Sequence, residues 1–181
     1  ILFGSTYTDK AHAKYCPPEI ITEMKKAVIK SVQDNSNFDL IIKPHPKENE
    51  KELAALISGN YSNVLVSKKS DDIRKMILEC DAFISFGSTS SLDALLGRKK
   101  TGSLVFAGWE FSNELLDGLP IMKLDTVDKV KTFIETTLVG EHVSYKKHEL
   151  EEIEKICVLD GEASKRISED IFALLQYGKP L

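Results

Sequence analysis

The stretch Asp81-Ala-Phe-Ile-Ser-Phe-Gly-Ser-Thr-Ser-Ser-Leu-Asp-Ala-Leu-Leu-Gly97 has the pattern of a short buried strand, a tight turn and a helix. The turn, below called the Ser/Thr turn, consists of Gly87, Ser88, Thr89, Ser90 and Ser91. Ser and Thr are frequent N-cap residues, so the turn could serve only to begin the helix. One cap needs one hydroxyl, however, and the unpaired N–H groups at a helix start attract anions. We therefore predict that the residues of this turn bind a phosphate group.

Short apolar runs alternate with helical patterns along the rest of the chain. They predict strands at 1–3, 38–42, 64–66, 82–84 and 103–106, and they leave a sixth strand open at 120–124. Helices are predicted between these strands, one of them at 48–58, and at 127–138, 147–157 and 162–176. In the last helix the apolar spacing predicts a buried stripe of Ala163, Ile167, Ile171 and Leu174. The expected fold is α/β, a Rossmann-like doubly wound parallel sheet of order 3-2-1-4-5 with helices on both faces and a helical C-terminus.

This strand order predicts a ligand site at one edge of the sheet. The chain reverses direction between strands 1 and 4, and ligands of such sheets bind at the carboxyl ends of the strands there. Gly4, Ser5 and Thr6 follow the first strand, and Lys43-Pro-His-Pro46 follows the second. We expect both segments to meet the Ser/Thr turn and to contact the phosphates of a nucleotide donor.

The segment Lys43–Pro46, below called the His-Pro turn, contains two prolines that fix the backbone on both sides of His45. Such a turn could simply end the strand and expose a histidine, or it could aim the imidazole at a ligand. Because the Ser/Thr turn is expected at the same edge, we predict that Lys43, His45 and Pro46 bind the donor. His45 is the predicted catalytic residue, through stabilisation of a leaving phosphate rather than proton abstraction. Lys43 either adds charge or is a solvated residue at the strand end.

Asp93 and Trp109 have two interpretations each. Asp93 lies about one turn into the helix after the Ser/Thr turn, where a carboxylate can accept from ribose hydroxyls or complement the helix dipole. We include Asp93 in the predicted donor site. Trp109 could pack in the interior or line the rim around a base or sugar. No P-loop, no G-x-G-x-x-G fingerprint and no Cys/His cluster occurs, so neither a nicotinamide dinucleotide nor a metal is predicted.

The chain has 181 residues, a net charge of −4 and 42% hydrophobic residues, which suits a single α/β domain over 1–181. The acidic balance argues against nucleic-acid binding, and the charge run 98–100 is predicted to be solvated. No run approaches the ~20 apolar residues of a transmembrane helix, while peripheral association with a membrane stays open. Cys16, Cys80 and Cys157 are scattered, which fits a reducing compartment, and we expect a cytoplasmic location.

The two turns and a third motif together resemble the C-terminal, donor-binding half of GT-B glycosyltransferases. The third motif is Asp160-Gly-Glu-Ala-Ser-Lys-Arg-Ile167, similar to the D-G-x-A-x-x-R-I stretch that opens the last helix in many such proteins. The chain looks closest to the bacterial capsule and polysialic acid transferases and the CDP-glycerol glycerophosphotransferases. It resembles UDP-N-acetylglucosamine 2-epimerases more distantly, because their Ser-Gly-Gly and paired glutamates are missing. It also departs from the frequent L-G-K-P pattern, since Leu96-Gly-Arg-Lys-Lys100 lacks the proline.

The resemblance implies that His45 and the hydroxyls of residues 88–91 contact the donor phosphates. It also implies that the chain is the C-terminal half of a longer two-domain protein, whose N-terminal domain binds the acceptor glycan and carries the catalytic base. The expected function is donor binding in a transferase of cell-surface polysaccharide biosynthesis, with a CMP-, CDP- or UDP-activated sugar as substrate and no further cofactor. The alternatives are a UDP-sugar 2-epimerase-like isomerase and a non-catalytic nucleotide-binding or assembly module.

Overall fold

The structure is a computed structural model that describes residues 1–6, 17–33, 35–57, 62–105, 118–137, 140, 142–157 and 160–177. It contains two compact units, Ile1–Ser144 and Tyr145–Leu181. That the whole chain makes a single domain stays a prediction. Trp109 lies outside the described residues, so its two interpretations both stand.

The first unit contains a parallel sheet that confirms the predicted fold class. Its strands are β1 (Leu2–Gly4), β2 (Leu40–Lys43), β3 (Val64–Val66), β4 (Ala82–Ser85), β5 (Lys100–Leu104) and β6 (Met122–Leu124). The order is β3-β2-β1-β4-β5-β6, and every neighbouring pair is parallel. The predicted order is therefore confirmed, and the sixth strand that the sequence left open is present.

Helices cover both faces of this sheet. They are α1 (Pro18–Gln33), α2 (Glu50–Leu56), α3 (Ile73–Glu79), α4 (Ser90–Leu96) and α5 (Val127–Glu135). Consecutive residues of β1 pack on opposite faces of the sheet, because side chains alternate along a strand. Phe3 packs into the cluster formed with α1, α2 and α5, whereas Leu2 packs with Ile77 of α3 and Ala94 of α4. Burying a side chain of this size stabilises the fold by about 1.5–3 kcal/mol, so the two clusters hold the strands that carry the turns.

Side-chain caps set where the short helices begin. The Asn49 side chain accepts from the N–H of Lys51 at 3.0 Å, and the Asp72 side chain accepts from the N–H of Arg74 at 2.9 Å. A cap of this kind contributes about 1 kcal/mol. Because Asn49 is the cap, α2 begins after it and Glu48 belongs to the preceding turn, not to the helix that the sequence predicted from residue 48.

The fifth strand and the charge run before it differ from the prediction. The strand is Lys100–Leu104 rather than 103–106. Lys99 is buried, and the Lys100 ammonium donates to Phe133 O at 2.8 Å and to Thr136 Oγ1 at 2.7 Å at the end of α5. The prediction of a solvated run is therefore wrong for these two lysines. The strand lacked an apolar signal because Gly102 lies against β6, where a Cβ would come within 2.7 Å of Leu124 Cδ1.

The second unit contains α6 (Lys147–Ile156) and α7 (Ala163–Tyr177). Asp160 begins α7, since its carboxylate accepts from the N–H of Glu162 at 2.9 Å and pairs with the Arg166 guanidinium. These hydrogen bonds lower the pKa of Asp160. The third motif of the resemblance thus has a structural role here.

The predicted buried stripe of α7 is wrong, because its members are exposed. Ile167 is 60% exposed, Ile171 51% and Leu174 47%, and Ala163 is exposed as well. Ala173, which the sequence did not select, is the buried residue among the side chains of that helix that the structure describes. None of the helices in the described part of the chain combines the length and the apolar composition that a transmembrane span needs.

Candidate functional site

The loops after β1, β2 and β4 meet at one edge of the sheet. Together with the loop after β3 they line an open cleft of about 410 Å³. The predicted site residues in this lining are Gly4, Ser5, Thr6, Lys43, His45, Pro46, Ser88 and Ser90. The predicted site residues outside it are Gly87, Thr89, Ser91 and Asp93. The structure therefore brings most of the predicted residues together, while their contact with a donor stays a prediction.

The polar groups of the Ser/Thr turn are largely bonded to one another and to their neighbours. The N–H of Gly87 donates to Ser103 Oγ at 3.1 Å, and the N–H of Ser88 donates to Ser85 Oγ at 3.3 Å. The N–H of Ser90 donates to the Ser88 hydroxyl at 3.2 Å. A charged phosphate oxygen is a stronger acceptor than a neutral hydroxyl. Binding of a phosphate by this turn stays a prediction, and it would require the exchange of these internal bonds for bonds to the phosphate.

Ser91 and Asp93 make contacts away from the cleft. Ser91 is fully buried, and its hydroxyl lies 3.0 Å from Ser85 Oγ. The Asp93 carboxylate lies 3.7 Å from Nε of Arg74 on α3. Their positions give no support to the predicted contacts with phosphate and ribose. Thr89 is the exposed N-cap residue of α4, and its side chain makes no cap hydrogen bond.

His45 lies at the cleft with a defined hydrogen-bonding state. Its Nδ1 accepts from the N–H of Lys47 at 3.1 Å, which assigns the proton of the neutral ring to Nε2. Burial lowers the pKa of His45, the charge of Glu48 raises it, and the ammonium groups of Lys47, Lys43 and Lys69 lower it further. Because the net shift is downward, the ring is mainly neutral at pH 7. The ring of His45 therefore carries one N–H donor, at Nε2, rather than a positive charge.

Lys43 is buried, so the alternative that it is a solvated strand-end residue is wrong. Its ammonium donates to Lys69 O at 2.9 Å and to Pro44 O at 3.4 Å. These bonds tie the loop after β3 to the His-Pro turn and use two of the three donors of the ammonium. Lys43 thus helps to shape the cleft in which it lies.

Lys69 is a lining residue that the sequence analysis missed. It follows β3, and its side chain is 33% exposed with the ammonium 3.9 Å from the Glu50 carboxylate. A lysine among the lining residues brings a positive charge to the neighbourhood of the cleft, which favours a phosphate. The sequence does carry a signal for it, because β3 neighbours β2 and the carboxyl ends of parallel strands share one edge. Ile73, Phe83 and Phe86 add an apolar part to the lining.

Glu48 is the second residue that was missed, and it lies behind the His-Pro turn. Its carboxylate is buried, accepts from the N–H of His45 at 3.1 Å and accepts from the Ser5 hydroxyl at 2.9 Å. The sequence pattern predicts Glu48 within a helix, whereas the structure places it in the turn before α2. Across the described ranges, no group of three or more His, Cys, Asp or Glu side chains is placed to hold a metal ion.

Comparison with known proteins supports the fold. No protein-family model matches the sequence, and no curated protein matches it. Among solved structures, the chain is similar to the crystal structure of a UDP-N-acetylglucosamine 2-epimerase, with a TM-score of 0.55 and 16% sequence identity. The match covers 99% of this chain and 44% of that chain. The chain thus spans less than half the length of that enzyme and shares a Rossmann-like fold with it.

Proposed function

We propose that this chain is the donor-binding domain of a glycosyltransferase, or of a related glycerophosphotransferase, that acts in cell-surface polysaccharide synthesis in the cytoplasm. The substrate would be a nucleotide-activated sugar. An N-terminal domain of a longer protein would bind the acceptor glycan. The observation that carries the proposal is the single cleft at the carboxyl ends of β1, β2 and β4, where the His-Pro turn and the Ser/Thr turn both contribute to the lining.

The chemistry of the cleft supports binding of phosphate rather than proton abstraction, because the basic Nδ1 of His45 already accepts from the N–H of Lys47. The neutral ring of His45 supplies a hydrogen-bond donor, and Lys69 supplies a positive charge. The hydroxyls of Thr6, Ser88 and Ser90 add polar groups to the lining. Donors and charges that are already in place stabilise negative charge as it develops, without having to reorganise.

In the proposed reaction an acceptor hydroxyl attacks the activated carbon of the sugar. The bond from that carbon to the phosphate oxygen breaks as the bond to the acceptor oxygen forms, and the nucleotide leaves with the electron pair. The acceptor proton goes to a base outside this chain. In a glycerophosphotransferase, the same groups would stabilise the nucleotide phosphate that leaves from an attacked phosphorus.

A 2-epimerase-like isomerase is the second candidate, and the likeness of fold to such an enzyme supports it. At 16% identity this likeness does not separate an epimerase from a transferase. Against the epimerase stands Ser-Thr-Ser-Ser-Leu-Asp at 88–93, where the Ser-Gly-Gly and paired glutamates of those enzymes are missing. The third candidate is a non-catalytic nucleotide-binding module.

Product analysis with a longer protein that contains this chain distinguishes the three candidates. We expect release of free nucleotide together with transfer of the sugar or glycerophosphate to an acceptor. Release of an epimerised sugar would contradict the transferase and support the isomerase. Binding of nucleotide without any turnover would support the non-catalytic module.

A further inference from the structure

Two buried charged side chains lie behind the cleft and have no part in the proposed chemistry. Lys25 of α1 and Glu48 form an ion pair in which the side chains are only 9% and 5% exposed. Neither residue lines the cleft, and both line a separate groove between α1 and α2. Burial removes much of the hydration of the two charges, and this cost offsets much of their mutual attraction. The pair is therefore weak evidence that its role is only to stabilise the fold.

The pair connects two of the loops that form the cleft. The Lys25 ammonium donates to Thr6 O at 2.5 Å in the loop after β1, and the Ser5 hydroxyl of the same loop donates to Glu48 Oε1 at 2.9 Å. The other carboxylate oxygen, Oε2, accepts from the N–H of His45 at 3.1 Å, and His45 O accepts from the N–H of Glu48 at 2.9 Å. Both oxygens of Glu48 are therefore engaged, one with each loop.

We propose that Glu48, held by its ion pair with Lys25, is a positioning residue that fixes the loop after β1 and the His-Pro turn in one geometry. The imidazole of His45 is then presented to the cleft by a backbone that has little freedom left to lose when a ligand binds. The inference rests on the proposed function for the identity of the ligand. The bracing of His45 itself can be tested without any ligand.

The variant Glu48→Gln tests the positioning role of Glu48, because glutamine has almost the same shape as glutamate. An amide has one acceptor oxygen where the carboxylate has two, so glutamine cannot accept from Ser5 and from His45 at once through separate oxygens. We expect the affinity of the full chain for CDP and UDP, measured by calorimetry, to fall about tenfold, as for loss of a hydrogen bond to a charged group. Glu23→Gln is the matched control, because Glu23 is exposed on the same helix as Lys25. This control should bind as the wild type does.

A second readout follows the imidazole directly. The charges that face His45 are those of Glu48, Lys43, Lys47 and Lys69, and Glu48 is the one among them that favours the protonated ring. NMR titration of the His45 ring, in the absence of nucleotide, should therefore show a lower pKa in Glu48→Gln than in the wild type. A residue that only supported the fold at a distance would leave this titration unchanged.

A double variant covers the case in which Glu48→Gln does not fold because Lys25 is left buried and unpaired. Lys25→Met combined with Glu48→Gln removes both charges, and replacing a buried pair is far less destabilising than breaking it. Lower affinity together with a lower pKa of His45, in either variant, supports the positioning role. An unchanged titration of His45 in a folded variant overturns it, whatever the affinity does. If the wild type binds no nucleotide, the proposed function fails, and an unchanged titration of His45 still overturns the positioning role.

Discussion

The His-Pro turn and the Ser/Thr turn line the same cleft but are stabilised in opposite ways. The His-Pro turn is held from behind by the buried carboxylate of Glu48, which leaves the ring of His45 at the cleft. The Ser/Thr turn is held by neutral hydroxyls, several of which bond to its own backbone. A row of hydroxyl residues in a sequence therefore does not by itself show which of the hydroxyls face the cleft and which bond inside the domain.

The largest effect should come from breaking the brace of the His-Pro turn. Glu48→Ala leaves the Lys25 ammonium buried without its charge partner, and we expect the free energy of unfolding to fall by about 3–5 kcal/mol. Urea unfolding of the full chain measures this difference. Glu23→Ala, at an exposed position of α1, should change it by less than about 0.5 kcal/mol. A loss of unfolding free energy in Glu48→Ala as small as that in Glu23→Ala would contradict a buried ion pair between Lys25 and Glu48.

The backbone of the Ser/Thr turn should be the next most sensitive feature. Gly87 has φ of +61°, and an added Cβ would meet no atom within 4 Å, so the effect of Gly87→Ala comes from the backbone alone. The left-handed conformation should lower the free energy of unfolding by about 1–2 kcal/mol. Gly97→Ala is the matched control, because Gly97 has φ of −73° and alanine fits there without strain. Equal losses for the two variants would show that the conformation of Gly87 is not the cause.

Removing the Ser91 hydroxyl should have a smaller effect and leave binding unchanged. Its hydroxyl bonds to Ser85 inside the domain, so Ser91→Ala should lower the free energy of unfolding by about 1 kcal/mol. Calorimetry with CDP and UDP should give the wild-type affinity. A clear loss of affinity would contradict this expectation and would support the predicted contact of Ser91 with a phosphate.

The smallest effect concerns pH and His45. Because burial lowers the pKa of His45 in the folded protein below the unfolded value near 6.5, the unfolded chain binds more protons between these two values. Stability should therefore fall as the pH drops through 6.5, and it should fall less in His45→Gln. Urea unfolding of the two proteins between pH 8 and pH 5 measures the difference. Parallel curves for the two proteins would contradict the lowered pKa.

The fold was predictable because its signals are local and repeated. Short apolar runs alternate with helical spacing, and the right-handed crossover rule then leaves few possible strand orders. β5 was misplaced because its residues Lys100, Thr101 and Gly102 serve packing and hydrogen bonding rather than apolar burial. A polar strand of this kind carries no pattern of period two.

The candidate site was predictable in position and less so in detail. The rule that ligands bind at the carboxyl ends of strands predicted His45 and Ser88 at the same edge of the sheet, and both residues line the cleft there. The partners of Glu48 could not be inferred, because Ser5 and Lys25 lie 43 and 23 residues away and meet it only in the folded chain. Whether a hydroxyl such as that of Ser91 faces a ligand or a neighbouring serine also depends on the turn geometry. Residue type does not settle it.

The central claim is that the cleft binds nucleotide phosphates through His45. Calorimetric titration of the full chain with CMP, CDP, UDP and GDP tests it most directly, with His45→Ala and the exposed His142→Ala as paired variants. We expect at least one nucleotide to bind the wild type and His142→Ala equally, and His45→Ala about tenfold or more weakly, as for a lost hydrogen bond to a charged group. A midpoint of urea unfolding in His45→Ala equal to that of the wild type would show that the fold of the variant is intact. Failure of all four nucleotides to bind at millimolar concentration, or an unchanged affinity in His45→Ala, would contradict the claim.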